Sequence, residues 1–203
     1  MQSEKDAPAL QWLQSIKNKY ASIRGFDSSP SKRPGGMNPN IFFDAVGRRD
    51  LEYARRILME DGDVNIRNSS GATLCHVAVK SGDIEMLKVI LQFRPDVNLK
   101  DNEEVGASTA LHAATLLGEL EMVKELMGAG ADPRVQDKEG RTALHICAMK
   151  GYLEIAEFLI DTCSIEDESL PIGERLVDMK DNQGKTAYYW AKENGYNAIT
   201  SLL

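Results

Sequence analysis

The residues of this chain that are best suited to chemistry are three histidines, His76, His112 and His145, each placed three residues after a threonine. An imidazole can act as a general base near neutral pH, and it is a common zinc ligand. General-base catalysis requires one histidine with its own partner groups, whereas a zinc site requires several ligands that converge on one point. The surroundings of the three histidines therefore decide between a chemical and a structural role.

The three histidines occupy the same slot of a repeated unit. Their stretches, 71–91, 109–133 and 140–160, align with spacings of 36 and 33 residues between successive histidines. Two more degenerate copies place Phe43 and Tyr189 in this slot. Histidines that recur at such intervals along a stack of units do not converge on one metal ion. We therefore predict that each Thr–x–x–His pair closes the first turn of a helix, where the hydroxyl caps and the imidazole bonds nearby backbone groups.

Each unit contains two short helical patterns separated by a glycine. In the third unit the first pattern precedes Gly118 and is rich in small residues that permit close packing. The second pattern places Leu120, Val123 and Leu126 on one apolar stripe at helical spacing. Two helices of this length cannot bury their apolar faces alone, whereas stacked units can. The sequence therefore predicts an all-α solenoid.

Several linked motifs recur in phase: TALHAA, a glycine six residues after each histidine, LEMVKELM, GADP and DKEGRTALH. Together they resemble ankyrin repeats over roughly residues 37–203. The resemblance implies an ankyrin-repeat solenoid of about five helix–turn–helix units with β-hairpin loops, including degenerate caps at both ends. The implied units are approximately 37–67, 68–100, 101–136, 137–180 and 181–203.

Residues 1–36 form an N-terminal extension ahead of the repeats. Apolar residues near helical spacing in 7–23 predict a short amphipathic helix, and the composition of 28–36 is that of a flexible linker. We expect this helix to cover the exposed flank of the first repeat, in preference to the alternative that it binds a partner. Ser29 precedes a proline in a stretch that resembles a proline-directed kinase site, so Ser29 is a candidate for phosphorylation.

Two insertions interrupt the period. One adds about three residues around 102–108, and the other adds about eleven within 161–181. Insertions in solenoids fall on exposed loops, often on the binding side. The alternative is neutral drift in loop length, because the entropy of loop closure grows slowly with length.

Composition, charge and cysteine content disfavour several partners and compartments. Residues 1–36 contribute +3 to the net charge of −7, which leaves −10 on the repeats and disfavours nucleic acid as a partner. No apolar run reaches the roughly 18 residues that a membrane span needs, so we expect no membrane association. Three cysteines without a C-x-x-C pair favour a reducing compartment, the cytoplasm or the nucleus. We expect a monomer.

Motifs for catalysis are missing from the sequence. It holds no G-x-S-x-G, no H-E-x-x-H and no phosphate-binding loop of the Walker type. Cys75 and Cys147 take slots that ankyrin repeats fill with apolar residues, which predicts buried and inert thiols. We therefore expect no enzymatic activity, no catalytic residue, no metal site and no cofactor.

The resemblance also implies where a partner binds, because the two residues before each inter-helix glycine face the concave surface together with the loop tips. Leu116, Leu117 and Met149 at the centre are apolar in slots that should face solvent, which is typical of an interface hot spot. The alternative is that these side chains fold over and pack between neighbouring helices. The candidate partner-binding residues are Lys80, Ser81, Glu103, Glu104, Val105, Leu116, Leu117, Lys138, Arg141, Met149, Lys150 and Lys185.

The sequence thus predicts a protein–protein interaction module that binds a protein partner on its concave face. Such a module would act as an adaptor, an inhibitor or an assembly factor. Two alternatives stay open at this point. The chain could be the regulatory ankyrin portion of a longer enzyme whose catalytic domain lies beyond residue 203, or a structural spacer without a discrete partner.

Overall fold

The computed structural model describes residues 39–60, 63–167, 170–171 and 173–203. The predicted extension, its helix, its linker and Ser29 lie outside the described residues. Within the described part the chain forms helices in pairs. Their bounds are α1 Pro39–Gly47, α2 Leu51–Met59, α3 Leu74–Lys80, α4 Ile84–Leu91, α5 Ala110–Leu117, α6 Leu120–Gly128, α7 Ala143–Lys150, α8 Leu153–Asp167, α9 Ala187–Glu193 and α10 Asn197–Leu202.

The ends of the helices are set by local sequence. Thr73, Thr109 and Thr142 are the N-caps of α3, α5 and α7, and each forms a capping box with the histidine three residues later. Gly118 and Gly151 follow α5 and α7 with φ angles of 77° and 80°, a left-handed conformation that a glycine adopts without steric cost. The predicted helix–glycine–helix unit is confirmed.

The helices pack in two rows. The first helices α1, α3, α5, α7 and α9 form one row, and α2, α4, α6, α8 and α10 form the other, with each pair packed on the next. Leu74, Leu111 and Leu144 are fully buried in successive first helices, so the core is continuous across repeats. Each such side chain contributes about 1.5–3 kcal/mol by leaving water. The predicted all-α solenoid of stacked helix pairs is confirmed.

Loops join each pair to the next, and none of the described residues is assigned to a β-strand. Backbone hydrogen bonds close each loop: the N–H of Asp137 donates to the carbonyl of Arg141 at 2.9 Å, and the N–H of Gly140 donates to the carbonyl of Asp137 at 3.0 Å. The N–H of Asp181 likewise donates to the carbonyl of Lys185 at 2.9 Å. The loop around 102–108 closes from Asp101 to Ser108 at 2.8 Å, so its added residues lie inside the turn. The implied hairpins are therefore tight turns held by local backbone hydrogen bonds, too short for a ladder of strand pairs.

The second insertion differs from the expectation that insertions fall on loops. Its first part continues α8, which has 15 residues, whereas α6 has 9. No glycine or proline follows Ile160 until Pro171, so nothing in the sequence ends the helix early. Cys163, on the added turn, is 2% exposed and belongs to the core.

Candidate functional site

The histidines bridge successive repeats. The backbone N–H of Thr109 donates to Nδ1 of His112 at 3.2 Å, and an amide can only donate, so this ring nitrogen carries no proton. The proton is therefore on Nε2, which donates to the backbone carbonyl of Arg141 at 3.0 Å, in the loop that opens the next repeat. His112 thus satisfies one backbone group in its own repeat and one in the following repeat.

The other two histidines have the same geometry. Nε2 of His76 lies 2.9 Å from the carbonyl of Ser108, and Nε2 of His145 lies 3.0 Å from that of Lys185. Burial lowers the pKa of all three histidines, against the opposing effect of the carbonyl bond and of nearby carboxylates. Neutral rings with both nitrogens engaged are structural, as the repetition of the slot predicted.

The thiols and acidic groups of the described residues do not form a reactive cluster. Burial raises the pKa of Cys75 to about 12 and also raises that of Cys147, which keeps both thiols protonated. Among the described residues no three His, Cys, Asp or Glu side chains are grouped so that they could hold a metal ion. The prediction that Cys75 and Cys147 are buried is confirmed.

Buried aspartates hold the loops. Oδ1 of Asp137 accepts the N–H groups of Glu139 and Arg141 at 2.9 Å each, and Oδ1 of Asp101 accepts the N–H of Ser108 at 2.7 Å. Asp181 also accepts the indole N–H of Trp190 at 2.8 Å. Burial raises the pKa of Asp181, but its hydrogen bonds outweigh that effect and the pKa is lowered overall.

A groove runs between the row of first helices and the loops. We call it the helix–loop groove, and its cavity volume is about 410 Å³. It crosses three repeats, from the end of α3 over α5 to α7. Six residues that the sequence analysis named as partner-binding line it: Lys80, Val105, Leu116, Arg141, Met149 and Lys150.

Other lining residues were missed by the sequence analysis. They are Asp101, Ser108, His112, Ala113, Asp137 and Ile146. Two of them could have been found, because Ala113 and Ile146 precede Leu116 and Met149 by three residues and therefore share their helix face. The loop residues carry no such signal, since only the stacking of repeats brings them to the groove.

The apolar part of the groove faces solvent. Leu116 is 53% exposed and Val105 is 46% exposed, while Met149 is partly buried. Leu117 is 50% exposed but does not line the groove. The alternative that Leu116 and Leu117 pack between neighbouring helices is therefore wrong for both.

Most of the charged groove residues that reach solvent are basic. Arg141 donates from Nε to Oδ2 of Asp137 at 2.9 Å and from a guanidinium nitrogen to Glu139 at 2.8 Å. Nζ of Lys80 lies 4.0 Å from Oδ2 of Asp101. Lys150 is exposed and forms no ion pair with any described residue.

The remaining candidate residues lie outside the groove. Glu103 and Glu104 are exposed on the loop tip before Val105, and Ser81 accompanies Leu117 in the slot next to the inter-helix glycine. Lys138 lies 3.8 Å from Glu139, and Nζ of Lys185 stands 3.9 Å from the ring centroid of Tyr189. These residues could contact only a partner that extends beyond the groove.

In the part of the chain that the structure describes, every helix is too short or too polar to cross a membrane.

Comparisons with known proteins give the same repeat. A family model described as ankyrin repeats, in three copies, matches residues 42–137 and 111–203. The putative ankyrin repeat protein L371 of Acanthamoeba polyphaga mimivirus is 24% identical over 155 residues, 75% of this chain and 20% of that protein. Human ankyrin repeat and SOCS box protein 10 is 49% identical over 88 residues, 43% of this chain and 18% of that protein.

A third relative covers more of its own length. The probable 26S proteasome regulatory subunit p28 of Saccharomyces cerevisiae is 30% identical over 138 residues, 67% of this chain and 55% of that protein. The chain therefore spans between 18% and 55% of the length of the relatives named here.

Proposed function

Because the chain belongs to the ankyrin-repeat family, we propose that it is a protein–protein interaction module that binds a partner protein in the helix–loop groove. The observation that carries this proposal is the exposure of Leu116, half of whose surface faces solvent in the middle of a groove built from three repeats. A large apolar side chain held at the centre of a concave surface, with charged residues around it, is the usual composition of a binding hot spot.

The module would work by holding a partner rather than by changing it. Ankyrin repeats are binding elements without catalytic groups of their own, and the histidines and buried cysteines described above are structural. The names of two relatives associate them with a SOCS box and with regulation of the proteasome. An adaptor, inhibitor or assembly factor is the role we propose for this chain.

The rest of the proposal concerns organisation and location. Residues 37–203 form the repeat domain and residues 1–36 the extension, with Ser29 as its candidate phosphorylation site. Three cysteines without a C-x-x-C pair support a reducing compartment, the cytoplasm or the nucleus. The acidic repeats support a protein partner over nucleic acid, and we propose a monomer.

The experiment is affinity purification of the tagged chain from its native cells, followed by direct binding measurements with the purified partner. Wild type is compared with Leu116→Arg and with Gln92→Arg, which adds the same charge at an exposed position at the end of α4. We expect the partner to be lost only with Leu116→Arg. A partner that Leu116→Arg binds as tightly as wild type contradicts the assignment of the groove.

A further inference from the structure

We propose that the occupant of the helix–loop groove is an extended acidic segment of the partner, with a large aliphatic side chain that contacts Leu116 and carboxylates that reach Lys80 and Lys150. This inference rests on the proposed function and specifies the chemistry of the partner. It follows from the charge and the direction of the groove.

The charge of the groove is opposite to that of the molecule around it. The repeats carry −10, yet the exposed ends of the groove are lysines: Lys80 at the end of α3 and Lys150 at the end of α7. The two carboxylates in its wall, Asp101 and Asp137, are buried and already accept hydrogen bonds from loop N–H groups. The charge available to a ligand is therefore positive.

Lys150 is the more available of the two cations. It forms no ion pair with any described residue, while Lys80 has Asp101 at 4.0 Å, a separation beyond that of a hydrogen bond. A carboxylate brought to either ammonium group would gain an attractive interaction without first breaking a strong one. Elsewhere the acidic surface repels such a segment, so charge complementarity also fixes where it binds.

The direction of the groove sets the spacing of the segment. The groove crosses three neighbouring first helices, which are expected to lie about 8–10 Å apart. An extended chain advances about 3.3 Å per residue. One step from helix to helix therefore corresponds to about three residues of the ligand.

This spacing predicts the sequence pattern of the bound segment. Lys80, Leu116 and Lys150 stand at the ends of three successive first helices, α3, α5 and α7. The matching segment has an aliphatic residue in the middle and an acidic residue about three positions away on each side. Met149 and Val105 provide the apolar walls for the central side chain.

The test uses random twelve-residue peptides displayed on phage and selected on the complete 203-residue chain. We expect the enriched peptides to be acidic, with the aliphatic residue and the spacing just described. Synthetic fluorescent copies are then measured by anisotropy with the wild type and with Lys80→Glu and Lys150→Glu. Each reversal is expected to weaken binding by roughly tenfold or more, and a peptide with lysine in place of the facing acid should restore it.

The control is Lys124→Glu, the same change on an exposed lysine of α6 outside the groove. Circular dichroism checks that all variants are folded. The inference is overturned if the enriched peptides are neutral or basic, or if the selection enriches no peptide. It is also overturned if Lys80→Glu and Lys150→Glu weaken binding no more than Lys124→Glu does. Self-association that Leu116→Arg abolishes in sedimentation would make a second copy the occupant and would also overturn it.

Leu116→Arg separates this inference from the proposed function. If selected peptides lose binding to Leu116→Arg but ignore both charge reversals, the groove is the binding site and only the acidic segment is wrong. If they bind Leu116→Arg as well as wild type, the proposed function fails together with the inference.

Discussion

His112 and Arg141 are joined across a repeat boundary, because Nε2–H of His112 donates to the backbone carbonyl of Arg141 at 3.0 Å. The other ring nitrogen accepts the N–H of Thr109 within the same repeat. A single neutral imidazole therefore caps its own helix and holds the loop of the following repeat in place. This hydrogen bond has a structural role, and partner binding is proposed for the helix–loop groove next to it.

The first prediction concerns the loss of this bond. His112→Ala leaves the buried N–H of Thr109 without its partner and removes one of the two hydrogen bonds that the carbonyl of Arg141 accepts, and should lower the free energy of unfolding by about 2–4 kcal/mol. Tyr189→Ala is the matched control, because Tyr189 fills the same slot but is exposed; it should cost less than about 1 kcal/mol. Urea unfolding measures both. Equal losses would show that the slot does not act through its bond to the next repeat.

The second prediction concerns pH. The unfolded histidines bind a proton near pH 6.5, and burial holds the pKa of His76, His112 and His145 below that in the fold. Between the pKa values of the folded and the unfolded chain, the unfolded chain binds more protons than the folded chain. The free energy of unfolding is therefore highest above about pH 6.5, and it decreases as the pH falls below that value. The slope is at most about 1.4 kcal/mol per pH unit for each histidine. Urea midpoints between pH 7.5 and 5 measure it, and a flat profile would contradict it.

The third prediction compares two glycines with positive φ. A Cβ on Gly151 would lie 2.6 Å from Cε1 of Tyr196, whereas one on Gly82 has nothing within 4 Å. Gly82→Ala should cost about 1 kcal/mol for its backbone conformation, and Gly151→Ala about 1–2 kcal/mol more for the clash. Thermal or urea unfolding gives both values. The excess should vanish in a Tyr196→Ala background, and its persistence there would rule out the clash.

The fourth prediction ranks two neighbouring leucines. The side chains of Leu116 and Leu117 are about equally exposed, so Leu116→Arg and Leu117→Arg should each change the free energy of unfolding by less than about 0.5 kcal/mol. For binding of the partner, Leu116→Arg should cost at least about 2 kcal/mol and Leu117→Arg clearly less, because only Leu116 lines the groove. Titration calorimetry with the purified partner measures the order. The reverse order would move the site towards the inter-helix turn.

The fifth prediction concerns thiol reactivity. Burial raises the pKa of Cys75 to about 12, and that of Cys147 is also raised, so neither forms the thiolate that reacts. A disulfide reagent added to the native chain at pH 8 should modify neither residue within minutes, and both should react at once in urea. Peptide mapping by mass spectrometry identifies the modified sites. Rapid native labelling of Cys147 would mean that α7 opens locally.

Much of the architecture could be predicted from residue types and spacing. Thr109 and His112 indicated the start of a helix, and Gly118 its end, because both signals are local. The partner of the imidazole could not be predicted in the same way. The carbonyl of Arg141 is 29 residues further along the chain, and only stacking of complete repeats brings it to the ring. The position of Val105 in the groove depends on the same stacking.

The second insertion shows a different limit. Period and length indicated about eleven added residues, and the expectation that insertions fall on exposed loops was wrong for the first part of them. The structure continues α8 through Cys163, whose burial supports the added turn. Local propensity permitted both outcomes, and packing against the core decided between them.

The helix–loop groove crosses three first helices, and a ligand laid along it from Lys80 to Lys150 touches both of the junctions between them. Each junction is otherwise held by contacts between neighbouring repeats alone. A bound segment would span both junctions and would link three repeats that otherwise contact only their neighbours. Binding in the groove would therefore stiffen the centre of the solenoid.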